Sequence, residues 1–187
     1  MVKQIILLIA ALVLITYGKG VTHLPQDQHL YWSFPDEMSV KFELYVPLSF
    51  TEEYEWTGFG LKEVSKISSM KDADITMIYL NDDRIEDCWS SMNARPDPDI
   101  EVEGFDSLTE KSVNVVDDYK VYTWIKMMNT GDEKDMVLSQ GAQAGIIWAY
   151  GAVNSEGKPK KHKGTDRGYH EITLSEDFND GEIVSLI

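Results

Sequence analysis

Cysteine is almost absent. Cys88 is the only one in the chain, so no disulfide can form within it and the fold must rest on its core alone. Beside Trp89, Cys88 reads as a small core residue on a strand. No Asn stands in an Asn-X-Ser/Thr frame, so N-glycosylation is not expected. Positive charge is scarce too: 17 Lys and Arg stand against 32 Asp and Glu, for a formal net charge of −15. Such a surface repels nucleic acid and anionic membranes, which excludes both as partners. Nucleophile elbows, phosphate-cradling glycine loops, zinc motifs and acid–base constellations are all missing, so the chain is not read as an enzyme. Long apolar runs are limited to residues 5–15. Lys3 precedes that run, and Thr16, Gly18 and Gly20 follow it, the pattern of a cleaved secretory signal over residues 1–18. It is shorter than the ~20 apolar residues of a stable membrane span. The expectation is a secreted protein with one domain over residues 19–187 and its core at about 26–175.

What remains is mostly period two. Val40, Phe42, Leu44 and Val46 alternate with Lys41, Glu43 and Tyr45, as in a half-buried strand. Residues 56–61 form a second strand with glycine at 58 and 60, where backbones can approach closely. Residues 73–80 and 84–90 flank Asn81-Asp82-Asp83 as a hairpin, and residues 112–116 and 119–128 flank Asp117-Asp118 as another. In the latter, Tyr122 and Trp124 share one face, opposite Val121 and Ile125. Residues 145–150 and 169–174 complete the set. Only 62–70 and 133–138 have the makings of a helical turn or two. Asp97, Asp99, Glu101 and Glu103 alternate and are expected along one strand face. Many short, regularly spaced strands predict an all-β, antiparallel, immunoglobulin-like β-sandwich. Asp82, Asp83, Glu86 and Asp87 match no calcium-loop order and read as a solvated acidic turn. His170 reads as a surface strand residue.

The order of landmarks resembles the DOMON domain family, β-sandwich modules that occur in relatives of dopamine β-hydroxylase and in cellobiose dehydrogenase cytochromes. The residues that carry the resemblance run across most of the chain: Leu30-Tyr31-Trp32, Gly58-Phe59-Gly60-Leu61, Met70-Lys71-Asp72-Ala73-Asp74, Thr130-Gly131-Asp132, Ile147-Trp148-Ala149-Tyr150-Gly151, and the loop with His162 and Arg167-Gly168.

The resemblance implies a ligand. Haem-binding members hold the iron between a Met of the "M-x-x-A-D" element and a His of the loop after the "W-A-Y-G" strand, and the matching positions are Met70 and His162. A thioether and an imidazole fill both axial sites of haem b, which suits electron transfer rather than bond-making. Lys160, Lys161, Lys163 and Arg167 surround His162, disfavour its protonation and could pair with haem propionates. The expected geometry puts Met70 and His162 on facing loops at the same end of the sandwich, with an apolar slot between them. The alternative is a non-haem module that recognises a carbohydrate or an extracellular protein through exposed members of Tyr31, Trp56, Tyr122 and Trp124.

Overall fold

The structure is a computed structural model and describes residues 18–180. The secretory signal expected over residues 1–18 falls almost wholly outside the described residues, and no described helix is long and apolar enough to cross a membrane.

Eleven strands form two antiparallel sheets. In chain order they are β1 (Gly20–Leu24), β2 (Gln28–Asp36), β3 (Ser39–Pro47), β4 (Trp56–Lys62), β5 (Ala73–Tyr79), β6 (Arg84–Ser90), β7 (Asp97–Pro98), β8 (Leu108–Val116), β9 (Tyr119–Met127), β10 (Gln143–Gly151) and β11 (Arg167–Thr173). One sheet has five strands in the order β1-β2-β3-β9-β8, and the other has six in the order β11-β10-β4-β5-β6-β7. This is the antiparallel β-sandwich that the alternation predicts, with both hairpins in place.

The alternation decides which side chains meet between the sheets. Leu30 and Trp32 of β2, Phe42 and Leu44 of β3, and Tyr122 and Trp124 of β9 face Phe59 and Leu61 of β4 and Ile146 of β10, all buried. Trp124 stacks on Phe42 at 5.7 Å and 27°, and lies 5.6 Å from Phe59 across the gap between the sheets. With no disulfide, this aromatic centre carries much of the stability, and truncating such a buried ring typically costs about 3–5 kcal/mol.

Three elements depart from expectation. β1 precedes the expected core and pairs with β2 from Gly20 opposite Trp32 to Leu24 opposite Gln28. A short helix, α1 (Leu48–Glu53), follows Pro47, whose φ of −56° suits the residue before a helical turn. α1 buries Phe50 against Tyr54 and Tyr150. The acidic stretch 97–103 is not a strand face: only Asp97–Pro98 pairs with β6, and Asp99–Glu101 is a 3-10 turn with Asp99 buried. Residues 62–70 supply one 3-10 turn, Val64–Lys66, while 133–138 stays irregular.

Candidate functional site

The six-stranded sheet has a second apolar face, turned away from the sandwich core. Alternation sends Phe59 and Leu61 inward, so Trp56, Gly58 and Gly60 of β4 point out, beside Ala73, Ile75 and Met77 of β5 and Cys88 of β6. Trp56, Ala73, Ile75, Met77 and Cys88 are buried, with Met70, Tyr79, Ile147, Ala149 and Val153 packed around them. Cys88 is thus a core residue as expected, in this outer cluster. Burial in the apolar cluster raises its thiol pKa foremost, aided by the nearby carboxylate of Glu86, and keeps it an unreactive thiol.

The two glycines make this packing close. A Cβ on Gly60 would lie 2.9 Å from Ile147 Cγ1 and 3.0 Å from Ile75 Cγ1, and one on Gly58 would lie 2.9 Å from Met77 Sδ. The floor of the face is therefore a notch in β4 that side chains of β5 and β10 fill.

Strand register locates the two sequence-predicted ligands. Leu61 of β4 pairs with Asp74 of β5, and Lys62 with Gly145 of β10, so the loop carrying Met70 lies at the Lys62 end. Trp56 pairs with Tyr79 and with Gly151, so the loop carrying His162 leaves at the opposite end. The same-end arrangement expected from the sequence is corrected: the loops reach the outer face from its two ends. Met70 packs on the apolar cluster. Its loop is held down by Asn93, whose Oδ1 accepts the N–H groups of Met70 and Lys71 at 3.1 and 3.2 Å, and by Lys62, whose Nζ donates to the carbonyls of Ser69 and Lys71. His162 is half-buried, with Nδ1 3.2 Å from the carbonyl of Lys163 in its own loop.

The loop of residues 152–166 is ordered by its own hydrogen bonds. Val153 bridges to Pro159, Asn154 Oδ1 accepts the N–H groups of Glu156 and Lys158 at 2.9 Å each, and Trp56 Nε1 donates to the Ala152 carbonyl at 3.0 Å. Lys160, Lys161, Lys163 and Arg167 are exposed on or beside it, and none has a carboxylate partner among the described residues. Elsewhere on this acidic protein the cations are mostly paired, as in Lys41 with Glu43, Lys111 with Asp106 and Lys120 with Asp83. The basic island is thus a local surplus of positive charge.

Of the aromatics expected on a recognition face, Tyr122 and Trp124 are wholly buried between the sheets, and Trp56 is buried in the outer cluster. Tyr31 alone is half-exposed. It belongs to a row on the outer face of the five-stranded sheet: Tyr31 lies 5.0 Å from Tyr45, Tyr45 lies 6.0 Å from Tyr119, and Tyr119 lies 5.8 Å from His29. That row was legible only in part, because β2, β3 and β9 bring distant residues together.

His170 is half-buried rather than fully on the surface. It shares the inward register of Ile146, and its Nε2 lies 2.6 Å from Thr22 Oγ1 of β1, joining the edge strands of the two sheets. Asp87, placed by sequence in a solvated turn, is buried instead. With Asp74, Asp135 and Ser107 it surrounds the ammonium of Lys126, an inward-facing residue of β9 that sequence reasoning missed.

The sequence profile of the DOMON domain matches residues 25–151, more than half of the chain, and the chain belongs to this family. The match ends before His162 and the basic island. Among solved structures, the chain is similar to the cytochrome b domain of pyranose dehydrogenase from Coprinopsis cinerea, with a TM-score of 0.57 at 10% identity, over 82% of this chain and 80% of that one. That likeness is one of fold. No curated protein sequence matches the chain.

Proposed function

We propose that this is a secreted DOMON module that binds haem b against the outer face of the six-stranded sheet and serves electron transfer rather than catalysis. The observation that carries the reading is the apolar, glycine-notched face of β4, β5 and β10, approached by the Met70 loop from one end and the His162 loop from the other. A thioether with an imidazole is a donor set that fits haem iron, and Met70 and His162 are the residues that would hold it. Bound haem would supply a one-electron couple. The unpaired Lys161, Lys163 and Arg167, with Lys160, are the cations available to propionates. Because Trp56, Ile75 and Met77 are already buried, the porphyrin would enter by parting these loops from the sheet.

Trp56 supplies a test, since haem seated on this face would quench its fluorescence. Titrating hemin into the folded protein is expected to quench emission to a one-to-one endpoint. Emission that declines without an endpoint overturns the reading.

A second reading rests on the aromatic row of Tyr31, Tyr45, Tyr119 and His29: a non-haem module that recognises a carbohydrate or an extracellular protein on its five-stranded sheet. A folded protein that takes up no haem, but binds a glycan or a protein through Tyr45, is the result that reading requires.

A further inference from the structure

The loop between β10 and β11 holds more positive charge than two propionates would use. Lys160, Lys161, Lys163 and Arg167 stand within eight residues, against the single carboxylate of Asp166, in a chain of net charge −15. All four are exposed, and none meets a carboxylate among the described residues. Asp166 is half-buried, and its Oδ1 accepts the Thr165 hydroxyl at 2.9 Å instead. Lys158, just before them, does have a partner, with Nζ 3.6 Å from Glu156 Oε2.

The array is also held in place. The Lys160 N–H donates to the Ala152 carbonyl at 2.9 Å and the Tyr150 N–H to the Asp166 carbonyl at 3.1 Å, so both ends of the charged segment are pinned to the end of β10. The Asp166 N–H closes the segment on the Lys163 carbonyl at 3.2 Å. A backbone fixed before binding reduces the ordering that binding costs. β11 then carries the pattern onto the sheet. Arg167 pairs with Ala149 and Tyr169 with Ile147, both of the outer cluster, so the two side chains share the outer face, roughly 6–7 Å apart along the strand. Tyr169 is 58% exposed. The row of cations thus ends on an open aromatic ring, and the exposed Glu171 bounds it two residues further on.

Four unpaired cations on a fixed loop attract an anion. Residues 160–167 include no apolar side chain, so the loop lacks the buried anchors that protein interfaces depend on. A duplex or a membrane would extend past the loop onto the acidic body, which repels it. A short chain stays on the loop, where the distant acids are largely screened, the Debye length being ~8 Å at physiological salt. Basic runs of this length are among the patterns that make heparin patches. The ring of Tyr169 adds a flat apolar surface against which a sugar ring can pack.

We propose that Lys160, Lys161, Lys163, Arg167 and Tyr169 bind a short sulfated oligosaccharide, with sulfates on the cations and a sugar ring on Tyr169. The surface lies outside residues 25–151, the span that matches the family profile, and its binding does not depend on haem.

The probe is a labelled heparin hexasaccharide, titrated with the haem-free protein and read by fluorescence anisotropy. Saturable binding is expected, weakening roughly tenfold from ~50 to ~150 mM salt as counterions compete. The combined change Lys160→Gln, Lys161→Gln and Lys163→Gln is expected to weaken binding by about tenfold or more at low salt and to flatten the salt dependence. Lys66→Gln, Lys111→Gln and Lys120→Gln together alter net charge equally but remove cations that are already paired, and should bind as wild type does. Tyr169→Ala should weaken binding several-fold and leave the salt dependence unchanged. All these positions are on the surface, and an unchanged Tm checks that each variant is folded. No binding by wild type at low salt overturns the proposal, as does an equal loss in the two triple variants, which would make the effect one of net charge. A thymidine hexanucleotide that binds as tightly as the hexasaccharide overturns it too, by reducing the loop to an unselective anion patch.

Discussion

Lys126 and Asp74 meet at 3.1 Å in the interior, one from each sheet, with side chains 1% and 3% exposed. The pair ties β9 to β5 across the sandwich. A buried ion pair adds little net stability over a well-packed apolar pair, but removing one partner strands the other as an uncompensated charge. Lys126→Met is therefore expected to cost about 3–5 kcal/mol, read as a lower urea midpoint at unchanged m-value. A loss under 1 kcal/mol would show that the carboxylates are already neutral.

The same cluster sets the pH dependence. Burial pushes the Asp74 carboxyl up to about 7 and, with neighbouring Asp87 and Asp135, the Asp99 carboxyl up to about 8. Between their unfolded and folded values the native state holds more protons than the unfolded chain, so stability falls as pH rises. Burial lowers the pKa of His29 and His170, which gives the opposite slope below the ordinary imidazole value of about 6.5 and none above it. Tm is therefore expected to fall between about pH 6.5 and 8.5, and Asp99→Asn to flatten that slope. A Tm that rises across that window contradicts the assignment.

Gly60 permits close approach of β5 and β10 side chains, not a turn. A side chain there meets Ile147 and Ile75 at about 3 Å, an overpacking that typically costs about 1–3 kcal/mol. Gly60→Val is expected to lower stability by that amount and to weaken hemin uptake, because it displaces Ile75 and Ile147 from the notch they fill. Normal stability with normal uptake would remove this face from the account.

The strands were legible because period-two alternation and turn residues are local signals. Val40 to Val46 and both Asp-containing hairpins read correctly from them, and the DOMON landmarks supplied the sandwich. The same alternation carries Lys126 inward with Tyr122 and Trp124, but a lysine on that face is discounted until three aspartates from other elements are seen around it. Asp87 was misjudged for that reason: an acidic run is solvated unless a distant cation buries it. The placement of Met70 and His162 at opposite ends follows from the registers of β4 with β5 and β10, which no spacing along the chain contains. Tyr122 and Trp124 are core because the sheets stack and Trp56 is buried in the outer cluster of its own sheet, whereas Tyr45 and Tyr119 join Tyr31 only through the pairing of β2, β3 and β9.

The most direct test of the haem reading is the absorption spectrum of the protein reconstituted with hemin, oxidised and then dithionite-reduced, for wild type, Met70→Ala and His162→Ala. The account predicts a low-spin six-coordinate spectrum for wild type and loss of that signature in each variant, with all three proteins folded. A folded wild type that takes up no haem, or a low-spin spectrum that survives both substitutions, contradicts it.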